Sequence, residues 1–355
     1  MADEFAIQQA KQGRSLAALV RYILGVCVGA VVLLLLFGKR GELPSAWHEV
    51  SRANLGWVLG AIAAEATSLY TYALLQRRTL RLARGAGATI PMAGLAALSL
   101  ANDAIANTVP GEPVISSAYR YRYFRRHGVQ PASAGWTIFT VLVAQAAGLS
   151  LLLLLGVIVA LAGSPSAEYT PITIVGLVIV VAAVAVFVRR DLVLRLLSTL
   201  PRAARRASGR RHSAVGSVNA RIESTLARMR EIPLSARSTA GVVVIAAGVW
   251  FADFCCLVCS FGAIRGAVPW NGVLLAYGVA QVAGSLPVVP GGIGIIEGSL
   301  AVILTRYGAT RVSALSAALV YRLVSFWLVI AIGWITVAVI ARRQRRVTRS
   351  ACAGV

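Results

Sequence analysis

Charge is what this 355-residue chain has least of. Asp, Glu, Lys and Arg make up 14% of it, against roughly 25% in a soluble domain. Acids are the scarcer sign, 13 against 35 basic residues, and lysine stands only at Lys11 and Lys39. With 58% apolar residues and a mean hydropathy of +0.75, the surplus is more than a water-facing protein needs for its core. It calls for lipid as a second solvent, which excludes a soluble enzyme, a secreted disulfide scaffold and a disordered chain.

Other shortages narrow the chemistry. Histidine is limited to His48, His127 and His212, scattered over predicted loops, so neither a His-rich cluster nor a Ser–His–Asp arrangement is in the pattern. The five cysteines are odd in number and sit mostly in or beside apolar stretches, which gives no disulfide framework. Cys256 and Cys259 form a C-x-x-C without a second pair, and soft packing is the simpler reading than a metal site. Gly292-x-Gly294-x-x-Glu297 lacks the third glycine and the βαβ setting of a dinucleotide fingerprint, and no P-loop occurs. The expectation is therefore no cofactor, no metal, no catalytic residue and no enzyme. The net charge of +22 would suggest nucleic acid in a soluble protein. No nucleic-acid-reading motif accompanies it, and basic loops retained on the cytoplasmic side of a membrane account for it.

What is present is a series of apolar runs. A span takes about 20 apolar residues, and six stretches qualify: 22–38, 53–76, 136–163, 170–188, 238–264 and 312–341. The first reads as an uncleaved anchor, with a cleaved signal peptide as the alternative. Two further apolar stretches are broken by Pro-Gly, one at Pro110-Gly111-Glu112-Pro113 and one at Pro290-Gly291-Gly292. Basic residues concentrate in five segments: three before residue 22, four in 77–84, four in 120–126, twelve in 189–237 and five from Arg342 onward. These belong in the cytoplasm, and the poorly basic segments 39–52, 164–169 and 265–271 belong outside.

Parity then fixes the broken stretches. Segments 77–84 and 120–126 share a side, so the chain between them enters the membrane and returns. The same count makes 272–305 return to the outside. A shift of 180 residues aligns Val109-Pro110-Gly111 with Val289-Pro290-Gly291, Arg126-x-Gly128 with Arg306-x-Gly308, and Ser133-Ala134 with Ser313-Ala314. Three spans separate the copies, so they are inverted.

The predicted fold is an all-α polytopic membrane protein: six full transmembrane helices plus two re-entrant Pro-Gly hairpins forming an inverted-topology repeat. Its parts are a cytoplasmic N-terminus (1–21), one transmembrane domain (22–341, repeat copies about 86–163 and 266–341) and a cytoplasmic basic tail (342–355). The loop 189–237 reads either as two basic amphipathic helices on an anionic leaflet or as a solvated linker.

Inverted repeats with broken helices place a site near the midplane. Proline removes a donor and glycine permits positive φ, so Pro290-Gly291-Gly292 can end one half-helix and begin another, with Gly294 beyond it. The N–H groups of that new half-helix suit an anion. Pro110-Gly111 offers the mirror-related position. Glu297 is expected about two turns past the second tip, with Arg322 in the last span as its natural partner. The pair either lines the path or serves packing alone. Asn102, Asp103 and Glu112 decorate the first hairpin, and Glu65 and Asp253 sit within other spans as further path candidates. The run Tyr119–Arg126 reads as a membrane-surface anchor or a headgroup contact.

Pro290-Gly291-Gly292-Ile293-Gly294-Ile295-Ile296-Glu297, Arg306-Tyr307-Gly308 and Tyr321-Arg322-Leu323-Val324-Ser325-Phe326-Trp327 resemble the lysylphosphatidylglycerol synthetase transmembrane-region family, as Val109-Pro110-Gly111 with Arg125-Arg126-His127-Gly128 resembles its first-copy motif. That family includes the flippase half of the multiple peptide resistance factor. The resemblance covers roughly residues 50–340 and puts Pro290, Gly291, Gly292, Gly294, Glu297, Tyr321 and Arg322 on motif positions. Two features depart from it: residues 136–155 carry only Gln145 where an acid–Arg pair is usual, and Glu112-Pro113 replaces small residues at the first tip.

The resemblance implies a flippase-like lipid translocase of the bacterial inner membrane with both termini cytoplasmic. It would move an anionic or aminoacylated (glyco)phospholipid or another polar-headed lipid. The partners are membrane lipids and the anionic leaflet surface, with room for a separate lipid-modifying enzyme, since no aminoacyl-transferase domain is expected here. The alternative is a membrane glycosyltransferase or accessory subunit of lipid-linked sugar synthesis, which would need acids such as Glu42 and Glu49 in an external loop.

Overall fold

The computed structural model describes residues 42–83, 90–108, 114–163, 235–285 and 290–353, and within them all regular structure is helical. The expected spans 22–38 and 170–188, the first tip with Pro110, Gly111 and Glu112, and the basic loop up to residue 234 lie outside the described residues.

Helix α1 is Glu42–Ser51, α2 Leu55–Leu82, α3 Met92–Thr108, α4 Val114–Arg126 and α5 Pro131–Gly163. Then come α6 (Ala236–Ala263), α7 (Val273–Gly284), a short turn at Pro290–Gly292, α8 (Ile295–Arg306) and α9 (Arg311–Arg322). A π-helical turn, Leu323–Leu328, joins α9 to α10 (Val329–Ala353). Among the described residues four helices are long and apolar enough to cross a membrane: α2, α5, α6, and the run Arg311–Arg342 through α9 and α10. They coincide with the four predicted spans that fall on described residues. Their outward faces carry exposed Leu142, Leu155, Ile158, Ile332, Ile335 and Val339, a surface that lipid accepts and water penalises.

One expectation fails at residues 42–51, which form helix α1 where an external loop was expected. Leu43, Ala46, Trp47 and Val50 recur at helical spacing. Ala46 is fully buried, and its carbonyl accepts from Ser316 Oγ on α9 at 3.4 Å. His48 is accordingly on a helix.

Helices α2 and α6 pack antiparallel along their whole length. Asn54, the N-cap of α2, donates its N–H to the Ala263 carbonyl at the end of α6 (2.8 Å). Further along, a Cβ on Gly60 would lie 3.5 Å from Cys259 Sγ, and Ser68 Oγ donates to the Val249 carbonyl at 3.1 Å. A Cβ on Gly241 would meet the Arg78 guanidinium at 2.8 Å. As numbers rise on one helix they fall on the other.

Helices α2 and α6 each lead into the same structure. α4 ends at Arg126 and α8 at Arg306; α5 begins at Pro131 and α9 at Arg311. Between them Gly128 and Gly308 adopt left-handed φ of 80° and 98°. The Val129 N–H then reaches the Phe124 carbonyl, as the Ala309 N–H reaches the Leu304 carbonyl. A β-carbon would strain both turns, so glycine closes them. The correspondence also takes in α2 and α6, each of 28 residues, one helix more per copy than the sequence comparison found.

The short helices form hairpins. Tyr123 Oη on α4 donates to the Gly94 carbonyl on α3 at 3.2 Å, and a Cβ on Gly284 of α7 would meet Ile296 of α8 at 2.5 Å. At 12–17 residues, these arms reach about 18–26 Å, short of the ~30 Å hydrocarbon layer. Ser133 Oγ donates to the Ala83 carbonyl (3.1 Å), so the first hairpin starts beside the end of α2. Gly266 against Ser313 starts the second beside the end of α6. Because α2 and α6 are antiparallel, the hairpins enter from opposite ends, and they meet where Gly291 abuts the Asn107 carbonyl. Close approaches without a side chain hold the copies together: Gly156 lies on the backbone of Leu275, Gly278 on Leu153, and Gly333 on Leu100 and Ala104.

The α2–α6 register gives a direct check. With Cys259 as the sole native cysteine, Gly60→Cys should form an oxidant-induced disulfide, read after denaturation as loss of both maleimide-reactive thiols. Two persistently free thiols would refute the register.

Candidate functional site between the hairpin tips

The second tip is shaped by glycine at two consecutive positions. Gly291 and Gly292 have φ of 63° and 61°, and a Cβ on Gly291 would strike the Phe326 ring. That turn leaves the Gly291 carbonyl facing α9, where Arg322 Nη2 donates to it at 2.7 Å. Arg322 Nε donates to Glu297 Oε1 at 2.7 Å, and the guanidinium stacks on Phe326, 3.9 Å from the ring centre. Glu297 uses its other oxygen, Oε2, to accept the Gly294 N–H at 2.7 Å. Both charged residues are 6% exposed.

One expectation is corrected by this geometry. Glu297 stands in the first turn of α8, at the third position after its N-cap Gly294, and not two turns on. At that helix terminus its carboxylate takes the Gly294 N–H. The expected Glu297–Arg322 pairing is present.

A second polar cluster lies beside the first. Asp253 Oδ2 on α6 accepts from Tyr277 Oη (2.6 Å), Gln281 Nε2 (2.7 Å) and Tyr321 Oη (2.9 Å). Gln281 Nε2 also lies 2.9 Å from Tyr321 Oη. Glu65 on α2 brings its carboxyl within hydrogen-bond reach of Asp253, and Asp103 on α3 is close enough for its charge to act on Glu65. Tyr321 belongs to this cluster and its neighbour Arg322 to the first.

The structure thus brings Glu65 and Asp253 together, and Gly291, Gly294, Glu297 and Arg322 together, with Tyr321 between. Asn102 is buried on α3, and its carbonyl oxygen has no donor among the described residues. Asp103 is half-buried, and Gly292 packs on Gly284. Tyr277 and Gln281 escaped the sequence reading. They sit four apart on an otherwise apolar helix, so one face of α7 carries both, and that spacing was the available signal. Within the run 119–126, Arg120 is buried with Tyr123 and Phe124 and donates to Tyr72 Oη at 2.6 Å, while Arg122, Arg125 and Arg126 are exposed.

A family model described as the lysylphosphatidylglycerol synthase TM region matches residues 22–333. The chain belongs to that family. No curated protein matches the chain. As a member of a transmembrane-region family with four apolar helices of spanning length, it is a membrane protein. The two hairpins and both polar clusters lie within the matched residues.

If the Arg322–Glu297 contact is a true pair, Glu297→Gln or Arg322→Gln alone should each cost about 3–5 kcal/mol, since either strands a buried charge. The double variant should cost less than the sum of the two. Detergent-phase melting measures this, and strictly additive losses would mean the pair does not interact.

Proposed function

We propose that this chain is a lipid translocase of the bacterial inner membrane, moving an anionic or aminoacylated phospholipid, or another polar-headed lipid, between leaflets. It catalyses no chemical conversion. Its partners are membrane lipids and the anionic leaflet surface, and a separate lipid-modifying enzyme supplies modified headgroups. In this reading the chain crosses the bilayer six times, both termini are cytoplasmic, and the two hairpins are re-entrant from opposite faces as an inverted repeat.

One observation carries the reading. Arg322 is buried against non-helical backbone, Pro290–Gly292, at the point where two hairpins from opposite ends of the bundle touch. Irregular backbone at membrane depth persists only where protein buries it or a wet cavity borders it. A short helix on each side leaves a thin barrier there. Arg322 Nε already holds one carboxylate oxygen, and a phosphate oxygen can take the same place with more charge. A headgroup arriving at the tips takes the place of Glu297 on Arg322, and Glu297 takes it back when the lipid leaves.

Two measurements test this. In liposomes carrying labelled phosphatidylglycerol in one leaflet, the purified chain should speed exchange, and Arg322→Leu should abolish it while the protein elutes as wild type. Exchange by a folded Arg322→Leu variant would make the pair purely architectural. Separately, cysteines at His127 and Arg306, in a background without other cysteines, should label from opposite sides of sealed vesicles. Labelling from one side would end the re-entrant arrangement.

A further inference from the structure

We propose that Glu65 and Asp253 form a proton-binding carboxyl pair that couples lipid movement to a transmembrane proton gradient. This deepens the translocase reading and rests on it.

The pair spans the seam between the two copies, Glu65 from α2 and Asp253 from α6. Each stands ten residues from its helix end at the same end of the pair, Leu55 for one and Ala263 for the other. They are 8% and 9% exposed, with carboxyls in mutual hydrogen-bond reach. Ionised carboxyls only accept hydrogen bonds, so two in contact need a proton between them. The unmatched atoms agree with this: Glu65 Oε2 and Asp253 Oδ1 are buried with no donor among the described residues.

The surroundings divide the roles. Asp253 Oδ2 accepts three hydrogen bonds, which favour its charged form. Glu65 accepts no such bonds among the described residues and carries the proton. The titratable groups that face the pair are Asp103 on α3, Cys256 on α6, Tyr277 on α7 and Tyr321 on α9. None is a cation, and Arg322 is committed to Glu297 and Gly291. Among the described residues no arginine or lysine hydrogen-bonds to Glu65 or Asp253, so the proton is the positive charge the pair holds.

Coupling follows from Tyr321. It donates to Asp253 on one side, while the adjacent Arg322 holds the second tip on the other. Losing or gaining the proton on Glu65 changes the net charge of the pair whose Asp253 member Tyr321 holds, and so biases the helix that positions Arg322.

The test uses the full chain in liposomes with labelled phosphatidylglycerol. A one-unit pH gradient contributes a factor of about ten per proton carried, so the steady-state leaflet ratio of the lipid should shift by up to tenfold and reverse with the gradient. Infrared spectra at neutral pH should show a protonated-carboxyl band that Glu65→Gln and Asp253→Asn each remove, with Glu65→Asp restoring it; two positions guard against one variant failing to fold. A band surviving in both folded variants, or its absence from the wild type, overturns the pair. A leaflet ratio indifferent to the pH gradient, or responding instead to a sodium gradient, overturns the coupling. No lipid exchange by the wild type under any condition overturns the translocase reading and the coupling with it; the carboxyl band would then stand as a proton site alone.

Discussion

A guanidinium buried among apolar helices must find its counter-charge and its acceptors inside the protein, and the irregular features of the second copy arise from that demand. Arg322 has five donors and no lone pairs, so taking it out of water costs several kcal/mol unless they are engaged. Glu297 reaches it only from the first turn of α8, and there the same carboxylate also caps that helix. The Gly291 carbonyl reaches it only because two residues adopt left-handed backbone that a side chain would oppose. Phe326 lies beneath the guanidinium within a π-helical turn that begins one residue after it. Turns of that type are frequent where a helix serves a site.

The scaffold is repeated but its chemistry is not. At the 180-residue shift, Glu297 corresponds to Ser117, Arg322 to Leu142, Tyr321 to Val141, Asp253 to Ala73, Gln281 to Ala101 and Tyr277 to Ala97. The first copy contributes Glu65 to the shared centre and keeps its own buried cation, Arg120, opposite Leu300 of the second. Duplicated helices therefore carry unlike side chains, and one-sided substitution builds both polar clusters mainly from the second copy. A symmetric pair of charged sites would double the desolvation penalty.

The long spans were legible because lipid exposure demands uninterrupted apolar runs, and α2, α5, α6 and the last helix fall where those runs lie. The helix break at Pro290–Gly292 was legible from its Pro-Gly punctuation, and the Glu297–Arg322 pair from the rarity of charge in apolar surroundings. The repeat was found only where identities survived; α2 and α6 share direction-reversed geometry with little common sequence, so backbone alone reveals them. Helix α1 was missed because ten residues carrying two acids and a histidine look like a loop until Ala46 is seen against Ser316. The meeting of Glu65 with Asp253 was not readable either, since a helix pair's rotation decides which residues face the seam, and no local pattern encodes it. Tyr277 and Gln281 are polar groups whose hydrogen bonds are all tertiary, which hides them among ordinary core positions.

The two polar centres are joined by one peptide bond. Consecutive residues on a helix point about 100° apart, so Tyr321 and Arg322 at the end of α9 face different neighbours: α6 and α7 for the hydroxyl, α8 and the glycine tip for the guanidinium. A rotation of α9 cannot relax one set of bonds without disturbing the other. The adjoining π-helical turn places an irregular step between α9 and α10, where such a rotation can be absorbed while α10 keeps its packing on α3 through Gly333. The end of α9 is thus a mechanical link between a carboxyl pair on the α2–α6 seam and an anion-holding arginine at the hairpin tips. That link ties the two polar clusters together, so neither can be rearranged without the other.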